Sequence, residues 1–203
     1  MKKPALLAFT LLVLVACGGN QASSTESPAE TTATALIFED SQQSPFKFTG
    51  KAPCDFLDTQ TVAAGLGVSE SSITVKPDRD KDDHKVCRYE IKDGPGAMSV
   101  LTVSINFNKN KEKTPKKLSN RLNEALTNGL PMMGYKDQVQ AFKEIKGLGT
   151  QTAYSGNMPN DKNLLTRLDD DYLISLQYNK YLPGQDIGDF EQKLKALMVK
   201  ILE

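Results

Sequence analysis

The stretch MSVLTVSINF, residues 98–107, alternates from end to end. Met98, Val100, Thr102 and Ser104 fall on one side of an extended chain, and Leu101, Val103, Ile105 and Phe107 fall on the other. This is the pattern of a strand with one fully apolar face and one mixed face. Upstream, Val86–Ile91 repeats the pattern more briefly, with Cys87, Tyr89 and Ile91 on a common face. The segment DGPG, residues 93–96, reads as the turn between the two, and Ile73–Val75 as a short strand before them. Strands joined by such short turns pair antiparallel.

Three helical patterns bracket these strands. Thr59 stands as the cap of a short helix carrying Val62, Ala63 and Leu66, with Gly65 and Gly67 near its end. Thr114 as cap, Pro115 at the first helical position and Gly129 as stop frame a second helix. Its apolar face is Leu118, Leu122, Ala125 and Leu126. A last helix over 187–202 turns Phe190, Leu194, Leu197, Met198 and Ile201 inward. Between the last two helices come a strand near Thr150–Ser155 and a hairpin of Leu164–Leu168 with Tyr172–Tyr178 across Asp169–Asp171. The expected fold class is α+β: an antiparallel sheet of about six strands covered by helices, in the order α-βββ-α-βββ-α. One domain over residues 46–203 accommodates it.

The first sixteen residues have a different character. Lys2 and Lys3 precede a twelve-residue run, Ala5–Ala16, that is apolar except for Thr10. A bilayer span needs about 20 residues, so the run has the length of a secretory signal instead. It ends in Leu14-Val15-Ala16-Cys17, which resembles the lipobox of bacterial lipoproteins at all four positions. The resemblance implies cleavage after residue 16 and Cys17 as the lipidated first residue of the mature chain, a palmitate-carrying anchor. It also implies a cell-envelope location, and Gly18 in place of aspartate implies the outer membrane where there are two. Two or more acyl chains hold a protein firmly, each buried methylene contributing about 0.8 kcal/mol. Residues 18–35 are small, polar and free of aromatics, so they read as a disordered tether. Taken over 17–45 the tether has a coil span of roughly 30 Å. In LIFEDSQQSPFKF, residues 36–48, the apolar side chains suit an extended arm docked on the domain or a short recognition segment.

Charge excludes one class of partner. The whole chain carries 25 basic and 25 acidic side chains. Loss of residues 1–16 removes two lysines and leaves a slight acidic excess, which offers nothing to a polyanion such as nucleic acid. With Cys17 acylated, Cys54 and Cys87 remain. Outside the cytoplasm such a pair forms a structural bridge, the alternatives being a redox or metal pair without any CxxC spacing.

A second resemblance rests on PCDFLDTQTVAAGLG (53–67), VCRYEI (86–91), IKGLGTQTAYS (145–155) and the closing amphipathic helix. Residues 52–203 look like a group of secreted bacterial lipoproteins of unassigned function allied to the PsbP-like fold, although Tyr89 stands where that group commonly has tryptophan. The resemblance implies an antiparallel sheet between helices and a disulfide. It implies no catalytic residues.

Direct searches for chemistry return little. The single histidine, His84, sits in DRDKDDHK (78–85) and reads as a solvated residue between strands, not as the base of a triad. No GxSxG, P-loop or HExxH occurs. Asp78, Asp80 and Asp82 have the opening spacing of an EF-hand loop, but its glycine and glutamate positions hold Asp83 and Tyr89. These aspartates, and Asp169–Asp171, read as solvated loops. Met132 and Met133 read as loop packing. No cofactor or metal site is expected. The basic run Lys109, Lys111, Lys113, Lys116 and Lys117 is the candidate partner surface, because two of its lysines open a helix, where positive charge is unfavourable. The expected function is a non-enzymatic binding or accessory module of the envelope, meeting the membrane through its anchor and a protein or glycan through its domain. The alternative is a small-ligand or lipid carrier with a cavity between the sheet and the last helix.

Overall fold

The computed structural model describes residues 48, 52–92, 98–132, 135–180 and 189–203. The signal segment, Cys17, the tether, the arm before Phe48, the 93–96 turn and Met133 lie outside the described residues. The class is α+β. A seven-stranded antiparallel sheet takes the strands in the order β1 (Ile73–Lys81), β2 (His84–Ile91), β3 (Ser99–Phe107), β9 (Tyr172–Lys180), β8 (Asp161–Leu168), β7 (Gln151–Met158) and β6 (Lys143–Ile145). Strands β4 (Leu130–Met132) and β5 (Tyr135–Gln140) pair separately as a two-stranded ribbon. The helices are α1 (Thr59–Leu66), α2 (Lys117–Thr127) and α3 (Phe190–Leu202). Among the described residues no helix is long and apolar enough to cross a membrane.

The alternation of β3 sets both faces of the sheet. Leu101, Val103 and Ile105 oppose Tyr89 and Cys87 on β2 and Tyr178, Leu176 and Ile174 on β9. This face packs on Val62 and Leu66 of α1 and on Leu194, Leu197, Met198 and Ile201 of α3, all at most 2% exposed, and it forms the main core. Gly65 lets the two helices meet, since a Cβ there would stand 2.5 Å from Leu197 Cδ2. Phe48, the described end of the arm, packs edge-on against Phe107 at 4.7 Å between ring centroids. The Cys54–Cys87 disulfide ties the one-turn 3-10 helix Pro53–Asp55 to β2.

On the opposite face a smaller core forms where Leu118, Leu122 and Ala125 of α2 meet Ala153, Leu165 and Leu173. The rest of that face is polar.

Several local expectations shift. Asp58, not Thr59, caps α1, its carboxylate accepting from Thr61 N at 2.6 Å. Helix α2 starts at Lys117, later than Thr114 and Pro115 suggest. Thr114 Oγ1 donates back to Asn110 O, and Thr114 O accepts from Asn108 Nδ2, so these residues form a turn before the helix. The charged run 78–85 is no loop. It belongs to a β1–β2 hairpin in which Lys76–Glu90, Asp78–Arg88 and Asp80–Lys85 are ion-paired across the strands. Charge suits β1 because it is an edge strand, where ionic side chains block further pairing.

A polar cleft as candidate functional site

The polar face becomes a site because of what its strands carry between their apolar residues. Strand β3 presents Thr102, Ser104 and Asn106, and β9 presents Ser175, Gln177 and Asn179, all to the side away from the main core. These side chains are short, uncharged and rich in hydrogen-bonding atoms. An ordinary solvated face would carry lysine and glutamate instead. Asp161 and Asn163 of β8 extend the floor, and Ser104 and Ser175 share a hydrogen bond of 2.6 Å at its centre. Leu130–Met132 of β4 together with Gln138 and Gln140 of β5, the 158–160 turn, and Arg121 of α2 raise walls around it. The cleft so formed has a volume of about 960 Å³. That is at the upper end for small-molecule sites and sufficient for an extended ligand.

One end of the cleft is a network around Asp161. Its carboxylate accepts from Asn163 Nδ2 at 2.9 Å and from Gln177 Nε2 at 3.1 Å. Asn163 Nδ2 also donates to Gln140 Oε1 at 2.8 Å. Burial raises the Asp161 pKa above the ordinary carboxylate value, and the amides of Gln177, Gln140, Asn179 and Asn163 offset this only in part. Gln140 is 5% exposed, yet its Nε2 closes no hydrogen bond of good geometry among the described residues. The Gln140 amide, buried in a polar cleft and held only loosely toward Asp161, is a ready contact for a ligand oxygen.

The other end is cationic. His84, the first residue of β2, stands between Arg79 of β1 and Arg121 of α2. Burial lowers its pKa first, and Arg79, Arg121 and Lys81 lower it further against the opposing pull of Asp83. The sequence reading of His84 as simply solvated is therefore corrected. Hairpin formation brings it to the edge of a cleft and leaves it half-buried.

The expected basic surface is divided by the fold. Lys109 pairs with Asp82 at 3.0 Å, and Lys111 is ion-paired to Asp171 in the β8–β9 turn. Lys113 and Lys116 are exposed. Lys117 alone faces a pocket beside the cleft. The Asp169–Asp171 turn is structural: Asp170 Oδ1 accepts from Ser119 N at 2.9 Å, in the first turn of α2. It supplies from a distance the cap that Lys116 does not. Met132 lies on the cleft wall. Between the sheet and α3, where the alternative reading puts a carrier cavity, the inward side chains Leu194, Leu197, Met198 and Ile201 are packed into the main core. Among the described residues no three or more His, Cys, Asp or Glu side chains converge as a metal site would require.

Asp161, Gln140, Asn163 and Gln177 escaped the reading of the sequence, being scattered over 38 positions without a motif. The available signal was the hydroxyl and amide alternation of β3 and β9. Comparison of the chain with protein-family models, curated proteins and solved structures gave no match.

Proposed function

We propose that the protein is a lipid-anchored, non-catalytic binding module of the cell envelope whose domain takes a hydroxyl-rich glycan in the polar cleft. The observation that carries this reading is the floor itself, built from Ser104, Ser175, Gln177, Asn163 and Asp161 with the loosely held amide of Gln140 beside it. An apolar ligand would cover these polar groups and remove the water that fills their remaining hydrogen-bonding capacity, without replacing it. A peptide added as a strand needs a free sheet edge, whereas β3, β9 and β8 are each paired on both sides. A ligand rich in hydroxyls satisfies the floor through side chains alone. The anchor reading rests on the lipobox resemblance at Cys17, and the kinship with PsbP-like lipoproteins on the motifs at Pro53-Cys54 and Gly147-Leu148-Gly149.

The test is titration of the purified full-length chain, in detergent micelles, with neutral and acidic oligosaccharides, followed by amide NMR. Shifts centred on Asn163, Gln177 and Gln140, lost in a Gln177→Ala and Asn163→Ala double variant of unchanged circular dichroism, are expected. The sugar should be recovered intact after prolonged incubation. Absence of cleft shifts with every oligosaccharide would refute the reading.

A further inference from the structure

Beside the polar cleft, and sharing its wall at Arg79, His84, Asn106 and Arg121, lies a second pocket of about 250 Å³. Its lining carries Arg79, Lys81, His84, Lys117 and Arg121 against one acid, Asp83. The cations come from three separate elements: the β1 edge, the start of β2 and the first turns of α2. Several neighbouring charges on this surface are paired, as at Lys76–Glu90, Arg88–Asp78 and Lys109–Asp82. Among the described residues Arg79, Lys81, Lys117 and Arg121 form no ion pair. Unpaired like charges around one concavity repel one another and are stabilised by an anion placed between them. Guanidinium groups supply forked donors that match the oxygens of phosphate or carboxylate.

The register fixes how this pocket relates to the amide end of the cleft. His84 is opposite Asn106 on β3, while Val100 on the same strand is opposite Asn179, which in turn is opposite Asp161. Six residues of strand separate Asn106 from Val100, a distance of about 20 Å. A ligand reaching both ends is therefore extended, longer than a single sugar ring. We propose that the Arg79–His84–Arg121 pocket holds the anionic group, phosphate or carboxylate, of a saccharide chain whose uncharged rings lie along the cleft toward Asp161. This rests on the glycan reading of the cleft and adds to it the charge of the ligand and its direction.

His84 makes the site responsive to acidity. The charged groups facing it are Arg79, Lys81 and Asp83 on its own hairpin and Arg121 with Lys117 on α2. An anion between them favours the imidazolium, so binding should tighten as pH falls.

The experiment separates the pocket from the cleft. The first probe is inorganic sulfate, whose charge is constant across the range used, titrated into the full-length chain in micelles while the His84 imidazole is followed by NMR. Sulfate should raise the His84 pKa and bind more tightly at about pH 5.5 than at about pH 8. An Arg79→Gln and Arg121→Gln double variant should bind it about tenfold more weakly, with Arg79→Lys and Arg121→Lys intermediate. Both arginines are exposed, so the fold tolerates these changes. Equal sulfate binding by wild type and the Gln variant would overturn the proposal. The second probe is a matched pair of oligosaccharides, one neutral and one bearing a terminal phosphate. The wild type should prefer the phosphorylated one and the Gln variant should show no preference. No preference in the wild type would overturn the proposal while leaving the cleft reading intact. Sulfate bound with neither oligosaccharide reaching the cleft would overturn the glycan reading and, with it, the saccharide part of this one.

Discussion

Asp161 and Asp170 are both aspartates in polar surroundings, and the fold uses them in opposite ways. Asp161 is held with a raised pKa, chiefly by burial. Its contribution to stability is complete below the unfolded value, near 3.8, and is lost as pH rises through the higher folded value. Replacement by Asn removes that dependence. The stability of Asp161→Asn relative to wild type should therefore shift in the variant's favour as pH rises from about 4 to about 7, read by urea denaturation at each pH. A difference that is flat with pH would show that the carboxylate is not burdened by its site. Asp170 instead caps α2 from the β8–β9 turn. It also places a negative charge at the N-terminus of α2, where the helix dipole favours it. Asp170→Ala should cost about 1 kcal/mol. Amide exchange should show the loss concentrated in the first turn of α2, since that donor loses its acceptor.

At the scale of elements, the long alternating strands were legible in the sequence and the short ones were not. Strand β3 shows its two faces over nine residues, and the apolar periods of α1, α2 and α3 place their buried sides correctly. Strands β4 and β6 have three residues each, and β4 contains Pro131, so neither carries a period that can be recognised. They exist because neighbours supply their partners. The charged part of β1 was hidden for a related reason: its alternation is of ions, and its strand character comes from β2 beside it. The disulfide was legible through compartment and count, and its partners are those expected. Its effect belongs to this scale, since it fastens a single 3-10 turn to β2. Replacing Cys54 and Cys87 with serine should lower stability by about 3–4 kcal/mol at unchanged circular dichroism, judged by the chain-entropy of the 33-residue separation. Denaturant midpoints of oxidised wild type and the double variant check it.

For the whole molecule, the proposed anchor and the cleft make separable demands. Acyl chains at Cys17 would supply nearly all the membrane affinity. Cys17→Ser should then move the protein to the soluble fraction and abolish labelled-palmitate incorporation, while leaving oligosaccharide shifts in the cleft unchanged. A wild type without label would refute the anchor. The cleft was beyond the reach of the sequence for a reason that also operates at this scale. Its floor is assembled from β3 in the first half of the domain and β8 and β9 in the second, and its cationic end from a hairpin and a helix. Each contributor is unremarkable in its own segment.

The placement of β9 between β3 and β8 has a consequence in time. Tyr172–Lys180 is the last strand in the chain and the central seam of the sheet. Until it emerges, β1–β3 and β6–β8 are two separate ribbons, each with a bare edge and an incompletely covered apolar face. Contacts such as Leu101 with Tyr178 span about half of the domain's sequence, an arrangement that makes folding slow. A chain so wired completes its sheet only after Lys180 has been made. For a chain carrying the proposed signal segment, that delay would favour passage through a membrane pore as an extended strand.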